Sequence, residues 1–151
     1  MSKKDYENVD DLFDDLLEDI EETVSQEIAD EIKRIEQKVI DELVYNVYVP
    51  KAYVRRYDDG GLRDAENMEV RIRRKGDKVE IEVSNRTITN KAWGSYAFYN
   101  NLLQPLIEDG IYDWRGENPP PRPFIDETQE RVDNSVEIER ILSKVLKDLG
   151  W

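Results

Sequence analysis

The sequence predicts an α+β fold, in which a small antiparallel sheet is flanked by a long N-terminal helix and a C-terminal helix. Three observations predict it: an apolar pattern with helical spacing that begins near residue 9, one β-hairpin at about 67–84, and a second helical stripe over 125–149. A chain of 151 residues is long enough for one domain with a modest core. We therefore expect residues 1–151 to form a single domain.

The N-terminal helix is predicted by apolar residues that recur every three or four positions, with no Gly or Pro before Pro50. Asn8 is suited to cap it, and two aspartates follow in the first turn, where the helix dipole favours negative charge. An unbroken helix would be about 55–60 Å long, which is more than a domain of this size buries. We expect either a break at 23–26 or an acidic segment, 1–24, that protrudes toward a neighbouring molecule.

Negative charge is concentrated at the N-terminal end of the chain. Of the net charge of −13, residues 1–31 contribute −11 (two lysines against 13 acids), which leaves −2 for the rest. Residues 51–75 instead carry eight basic and five acidic side chains. The acidic run is either a solvated helix face or an arm that docks on a basic partner. Because the whole chain is acidic, we do not expect it to bind nucleic acid tightly.

The hairpin has one apolar and one charged face. Met68, Val70 and Ile72 alternate with polar residues, Gly76 lies at the turn, and the alternation then resumes. The apolar face must pack on the helices. Cross-strand ion pairs explain the charges on the other face, and phosphate binding by the basic tip at 73–75 is the weaker alternative.

Tyrosines and prolines define the segments on either side of the hairpin. A tyrosine cluster around Pro50 either closes the core or contributes to an interface. Polar and aromatic residues over 84–99 indicate a long functional loop, which is followed by a short helix over 101–109. Prolines over 119–123 predict a stiff, extended strap, which would hold the C-terminal helix at 125–149 at a fixed distance from the preceding part of the chain.

The composition excludes several kinds of chemistry. The chain has no cysteine and no histidine, which excludes disulfides, Cys/His metal sites and the usual nucleophile–base pairs. It also lacks a phosphate-binding glycine loop and a nucleophile elbow. A divalent-metal nuclease built on Asp77, Glu80 and Glu82 is a weak alternative, because the lysine expected two residues after the second acid is missing. We expect no catalytic residues, no cofactor and no bound metal.

No segment of the sequence has the character of a membrane anchor. No apolar run approaches the roughly 20 residues that span a bilayer, and the charged N-terminus lacks the apolar core of a signal peptide. We expect a soluble protein that is made in a cytoplasm and has no membrane partner.

The order of segments resembles that of a siphophage protein family. Residues 45–67 contain P-K-A-Y-V-R-R-Y, then G-G-L and D-x-x-N, which is similar to a signature of neck and tail-completion proteins encoded between the portal and tail-tube genes. The hairpin, the polar loop, the helix ending at 108–110, the Y-D-W at 112–114, P-R-P-F and a closing helix follow the family order. The resemblance covers about 20–151, whereas the acidic extension at 5–22 departs from the basic or mixed helix expected there.

The resemblance implies a non-enzymatic structural protein of the virion. Its copies would assemble in a homo-oligomeric ring that joins tail to head, through which phage DNA passes, and their partners would be neck, connector and tail-tube proteins. The protein would be made in the bacterial host cytoplasm and end in the virion. Aromatic and arginine side chains are the candidate subunit contacts: Tyr53, Arg55, Arg56, Trp114, Arg122 and Phe124. We expect Phe124 to make apolar contacts, and Arg122 to bind a carboxylate or carbonyl and to be the better exposed of the two.

The main alternative is an acidic inhibitor that mimics DNA and blocks a host nucleic-acid enzyme. Carboxylates spaced along a helix can imitate a row of phosphates, and the N-terminal acidic run has that character. Such a mimic has no need for the proline strap or the terminal helix. Deletion of residues 119–151 is therefore expected to separate the two functions.

Overall fold

The computed structural model describes residues 5–46, 57, 59–88, 102–109 and 121–151. Within this part of the chain, a long N-terminal helix packs on a two-stranded antiparallel sheet, and shorter helices follow toward the C-terminus. This arrangement confirms the predicted α+β fold. No helix in the described ranges is long and apolar enough to cross a membrane.

The N-terminal helix is a rod of four successive segments: α1 (Val9–Asp19), a π-helical turn (Ile20–Val24), α2 (Ser25–Ile40) and a second π-helical turn (Asp41–Tyr45). Asn8 caps it as predicted, because its Oδ1 accepts the backbone N–H of Asp11 at 2.8 Å. The backbone remains in the right-handed helical region at every junction, so the rod is not broken at 23–26.

The first π-helical turn has a cause in the spacing of the apolar residues. Ile20, Val24, Ile28 and Ile32 follow one another at intervals of four. Because an α-helix has 3.6 residues per turn, side chains four apart drift about 40° around it at each step. A π-helical turn contains more residues per turn than an α-helix does. It therefore returns this row of apolar side chains to the side that faces the core, where Val24 is fully buried.

The hairpin consists of β1 (Met68–Lys75) and β2 (Lys78–Asn85), within a residue or two of the predicted bounds. Its antiparallel register begins with Met68 opposite Asn85 and ends with Lys75 opposite Lys78. Gly76 has a φ of +60°, a conformation that a residue with a side chain rarely adopts, and this allows the tight turn. The apolar pairs of this register share one face, which packs toward α2.

Three helices complete the described fold: α3 (Leu103–Asp109), α4 (Phe124–Asp133) and α5 (Val136–Asp148). The short helix at 101–109 is thereby confirmed, but the prediction of a single helix over 125–149 is wrong. The side chain of Asn134 donates to the carbonyl of Glu130 at 2.9 Å, and Ser135 Oγ accepts the N–H of Ile138 at 3.2 Å. These local bonds end α4 and cap α5, which is how Asn and Ser compete with a continuous helix.

The described end of the proline strap is a turn. Pro123 has φ −76° and ψ 68°, and the N–H of Phe124 donates to the carbonyl of Arg122 at 2.8 Å, which together form an inverse γ-turn. This turn redirects the chain inward, so the strap is not extended where it enters α4. Residues 119 and 120, and the loop expected at 84–99 beyond Ile88, lie outside the described residues.

The core is formed where the rod, the hairpin, α3 and α4 meet. Its buried apolar residues are Val39, Ile40, Val44, Leu62, Met68, Ile107 and Phe124. In contrast, α1 contains no buried residue. The N-terminal end of the rod is therefore a surface element, whereas α2 is built into the domain.

Candidate functional site

The outer face of α1 combines negative charge with exposed apolar residues. Six of its eleven residues are acidic, and none is basic. Val9 and Phe13 are 63% and 54% exposed, among the most exposed large apolar residues described. An apolar pair bordered by carboxylates on a surface helix is a candidate contact for another protein.

A few side chains hold α1 against the body of the protein. Arg74 Nη2, at the hairpin tip, lies 2.6 Å from Asp14 Oδ1. The indole N–H of Trp151 donates to Asp19 Oδ2 at 2.8 Å, and the ring of Trp151 stacks on Tyr6 with centroids 6.1 Å apart. The last residue of the chain thus holds the first helix in place.

A cleft of about 310 Å³ lies between α2 and the junction of α4 with α5. Its lining is mostly charged: Glu31, Arg34, Ile35, Lys38, Arg131 and Ser135. The exposed Arg34 pairs with the mostly covered Glu31 at 2.5 Å, and Arg131 pairs with Glu42 at 2.6 Å and with Glu127 at 2.9 Å. Lys38 is exposed and forms no ion pair with any residue that the structure describes.

The charged face of the hairpin is occupied by its own ion pairs. Arg73 lies 3.4 Å from Glu82, and Lys75 lies 2.8 Å from Glu80 across the strands. The hydrogen bond from Lys75 lowers the pKa of the Glu80 carboxyl, as expected for a paired group. Cross-strand pairing therefore accounts for these charges as predicted. Across the described ranges, no three acidic side chains are grouped so that they could hold a metal ion.

A buried polar frame lies beneath the hairpin. Glu36 of α2 is 1% exposed, and Asn85 Nδ2 donates to its Oε1 at 2.9 Å. The same nitrogen donates to the carbonyl of Leu62, while Asn85 Oδ1 accepts the hydroxyl of Thr87 at 2.6 Å. Burial raises the pKa of Glu36 to about 7; the hydrogen bond from Asn85 opposes this, and the nearby carboxylate of Glu108 adds to it.

The frame explains the G-G-L and D-x-x-N motifs. Asp64 Oδ2 accepts the N–H of Gly60 at 2.8 Å, and Asn67 Nδ2 donates to the carbonyl of Gly61 at 3.1 Å. The hydroxyl oxygen of Thr87, whose proton is donated to Asn85, lies 3.3 Å from that carbonyl. These motifs therefore fix the loop that leads into the hairpin. Sequence reasoning missed Glu36 and Asn85, because a charged residue in a helical stripe normally indicates a solvated face.

Two of the predicted contact residues lie inside the protein. Phe124 is 0% exposed in the core, and Arg122 is 3% exposed, with its Nη1 donating to the carbonyl of Val44 at 3.4 Å. Apolar contacts for Phe124 and a carbonyl partner for Arg122 were predicted correctly. The prediction that Arg122 is exposed for subunit contact is wrong, because its backbone N–H is bonded to the carbonyl of Ile107 at 3.0 Å, which draws it inward.

The remaining predicted contact residues, Tyr53, Arg55, Arg56 and Trp114, lie outside the described residues. Two tyrosines of the same cluster are described. Tyr45 and Tyr57 meet edge to face with ring centroids 4.7 Å apart, and Tyr45 packs against the core. Tyr57 is 48% exposed, so the described end of the cluster reaches from the core to the surface.

Comparison with known proteins assigns the chain to a family. Neither a curated protein nor a solved structure matches it significantly. Residues 8–148 match the family model YomN, which represents a Bacillus phage-type protein family and points to a phage-encoded protein. Because this match includes the rod, the hairpin and nearly all of the C-terminal helices, the chain belongs to the YomN family.

Proposed function

We propose that this protein is a non-enzymatic structural subunit of a tailed-phage virion, which assembles in a ring at the neck and joins tail to head. The observation that carries the proposal is a pair of apolar side chains, Val9 and Phe13, exposed on the surface of a protein from a phage-type family. Two exposed apolar side chains one helical turn apart, bordered by polar groups, are a feature of protein contact surfaces. The order of segments, which resembles that of tail-completion proteins, supports the same function.

The tyrosine cluster also supports an interaction role. The contact between Tyr45 and Tyr57 brings the two ends of the intervening segment to one place on the body. That segment contains Tyr53, Arg55 and Arg56, whose residue types are common in protein interfaces. The candidate contacts thus belong to a segment flanked by Tyr45, which packs against the core, and by Tyr57, whose ring contacts Tyr45.

The DNA-mimic alternative is less well supported. Three acids of α1 make contacts within the chain: Asp14 with Arg74, Asp15 with the hydroxyl of Tyr6 at 2.9 Å, and Asp19 with Trp151. A phosphate mimic needs its carboxylates available to the target enzyme. Deletion of residues 119–151 does not discriminate between the two functions, because it would remove Phe124 from the core and unfold either protein.

Deletion of the gene from a phage that encodes this protein tests the proposal. We expect DNA-filled heads and separate, complete tails in electron micrographs of the lysate, and joined particles when the wild-type gene is supplied from a plasmid. An antibody against the chain should label the head–tail junction of wild-type virions. Normal virions from the deleted phage, together with tight, salt-sensitive binding of the purified chain to a host nucleic-acid enzyme, would instead support the mimic.

A further inference from the structure

We propose that the apolar pair of α1, Val9 and Phe13, docks into the cleft between α2 and the α4–α5 junction of a second copy of this chain. This inference rests on the proposed function, since it names the contact between subunits of the ring. The contact is head to tail, because it joins two different surfaces of the same protein. Contacts of that kind close into a ring when the rotation between copies permits.

The charge of α1 determines what can cover its apolar pair. Two copies of α1 would bring twelve carboxylates together, so electrostatic repulsion disfavours a contact between the α1 helices of two molecules. The outer face of the hairpin is polar at each of its positions, and its arginines already pair with glutamates. A suitable partner surface must therefore offer both a cation that is not already paired and an apolar wall.

The cleft has both properties. Ile35 supplies an apolar wall, and three cations line the cleft. Two of them are already paired, Arg34 with Glu31 and Arg131 with Glu42 and Glu127. Lys38 is exposed and has no ion pair within the described part of the chain, so it is the cation available to an incoming aspartate. A volume of about 310 Å³ is at the small end for a ligand site but is sufficient for an aromatic side chain.

The rod prevents a chain from filling its own cleft. Phe13 and Arg34 lie on the same continuous helical rod, 21 residues apart, which corresponds to about 30 Å. A helix cannot fold back on itself over that distance without breaking. Phe13 can therefore reach this cleft only in another copy of the chain.

Cross-linking between two single-cysteine variants tests the contact. The chain has no native cysteine, so a bismaleimide reacts only at the introduced positions. Phe13→Cys and Arg34→Cys are purified separately, one of them with a size tag, and mixed at high concentration. We expect covalent heterodimers from this mixture. In one matched control, Glu18→Cys on the other side of α1 takes the place of Phe13→Cys. In the other, Lys78→Cys on the hairpin takes the place of Arg34→Cys. Both replaced residues are exposed.

A charge exchange provides a second, independent measurement. Lys38→Glu should raise the concentration needed for half-maximal assembly at least tenfold by light scattering, and Asp10→Lys in the same chain should recover most of that loss. Lys78→Glu makes the same charge change on the hairpin and should have little effect. Equal effects of Lys38→Glu and Lys78→Glu, without recovery, would assign the result to net charge and overturn the contact.

Cross-linking in virions separates this inference from the proposed function. If the protein is present at the neck but Phe13→Cys and Arg34→Cys do not cross-link there, the contact is wrong and the function stands. If the purified chains cross-link specifically but virions do not contain the protein, the function is wrong and the contact stands. A chain that remains monomeric at every concentration and shows no cross-link in virions overturns the inference.

Discussion

Among the described carboxylates, Glu36 lies in the most buried environment. It lies among apolar residues of α2 and receives a hydrogen bond from Asn85, which in turn holds Leu62 and Thr87. Such a network fixes the position of the loop before the hairpin, because each partner limits the others. A buried carboxylate is costly to ionise, so the protonated form is favoured in the folded protein.

We predict that stability decreases as the pH rises through the range in which Glu36 ionises. Its pKa of about 7 exceeds the ordinary carboxyl value of 4.5, so between these values the folded state holds a proton that the unfolded state has released. The free energy of unfolding should fall over this window by up to about 3 kcal/mol, at 1.36 kcal/mol per pKa unit. Urea denaturation of wild type and Glu36→Gln from pH 5 to 8 measures this.

Glu36→Gln keeps an oxygen that can accept the hydrogen bond from Asn85 but does not ionise. The variant should therefore be close to wild type near pH 5 and more stable than wild type at pH 8. Glu18→Gln, at an exposed position of α1, is the matched control and should follow the wild-type pH dependence. Parallel curves for wild type and Glu36→Gln would contradict the assignment.

A substitution at Phe124 tests whether the end of the proline strap is part of the core. Replacing this fully buried ring with alanine should lower the free energy of unfolding by about 3–5 kcal/mol, because a large cavity remains. Val136→Ala, at a position that is 77% exposed, should change it by less than about 0.5 kcal/mol. Thermal and urea denaturation give both values. Equal, small effects would mean that Phe124 is not packed as described.

At the scale of elements, some helix ends are set by hydrogen bonds to neighbouring residues, and others by side chains that are distant in sequence. Asn134 and Ser135 separate α4 from α5 with bonds to residues three or four positions away. The start of α4 is different. No local side chain caps it, and the carboxylate of Glu108, from the end of α3, accepts the N–H of Ile125 at 2.5 Å.

We predict that Glu108→Ala destabilises the protein by about 1 kcal/mol, which is typical for the loss of a helix cap. Asp109→Ala is the matched control, because the neighbouring carboxylate is exposed and should contribute little. Urea denaturation at neutral pH compares them. If both substitutions have the same effect, the loss reflects charge near the helix end instead of the hydrogen bond to Ile125.

At the scale of the whole molecule, Trp151 joins the C-terminal helices to the start of the described chain. Trp151 contacts both Asp19 and Tyr6, although 132 residues separate Trp151 from Asp19. Another side-chain link to the acidic helix is the ion pair of Asp14 with Arg74. Because no residue of α1 is fully buried, such contacts contribute to how firmly it is held.

We predict that Trp151→Phe loosens α1 without unfolding the body. Phenylalanine retains the stacking on Tyr6 but lacks the indole N–H, so about 1 kcal/mol of local stability is lost. Amides of Val9–Asp19 should then exchange with solvent roughly fivefold faster, while those of the hairpin, an internal control, remain unchanged. Unchanged exchange in α1 would show that Trp151 does not hold it.

The sequence by itself determined the elements whose signals are local. Helical periodicity predicted the rod, alternation around Gly76 predicted the hairpin nearly to the residue, and Asn8 marked the helix start. The break at Asn134 also has a local cause, but the apolar stripe continues across it and conceals it. The periodicity of apolar residues indicates which face of a helix or strand is buried, but it does not identify the element that packs against that face.

Only the tertiary structure decided where charged and polar residues lie. Glu36, Asn85 and Arg122 are buried where groups distant in sequence form hydrogen bonds with them, and a single sequence does not reveal such partners. The same holds for Trp151 on Asp19 and for Glu108 at the start of α4. The cost of burying a polar group depends on whether its partner is present, so these placements follow from the assembled fold and not from local pattern.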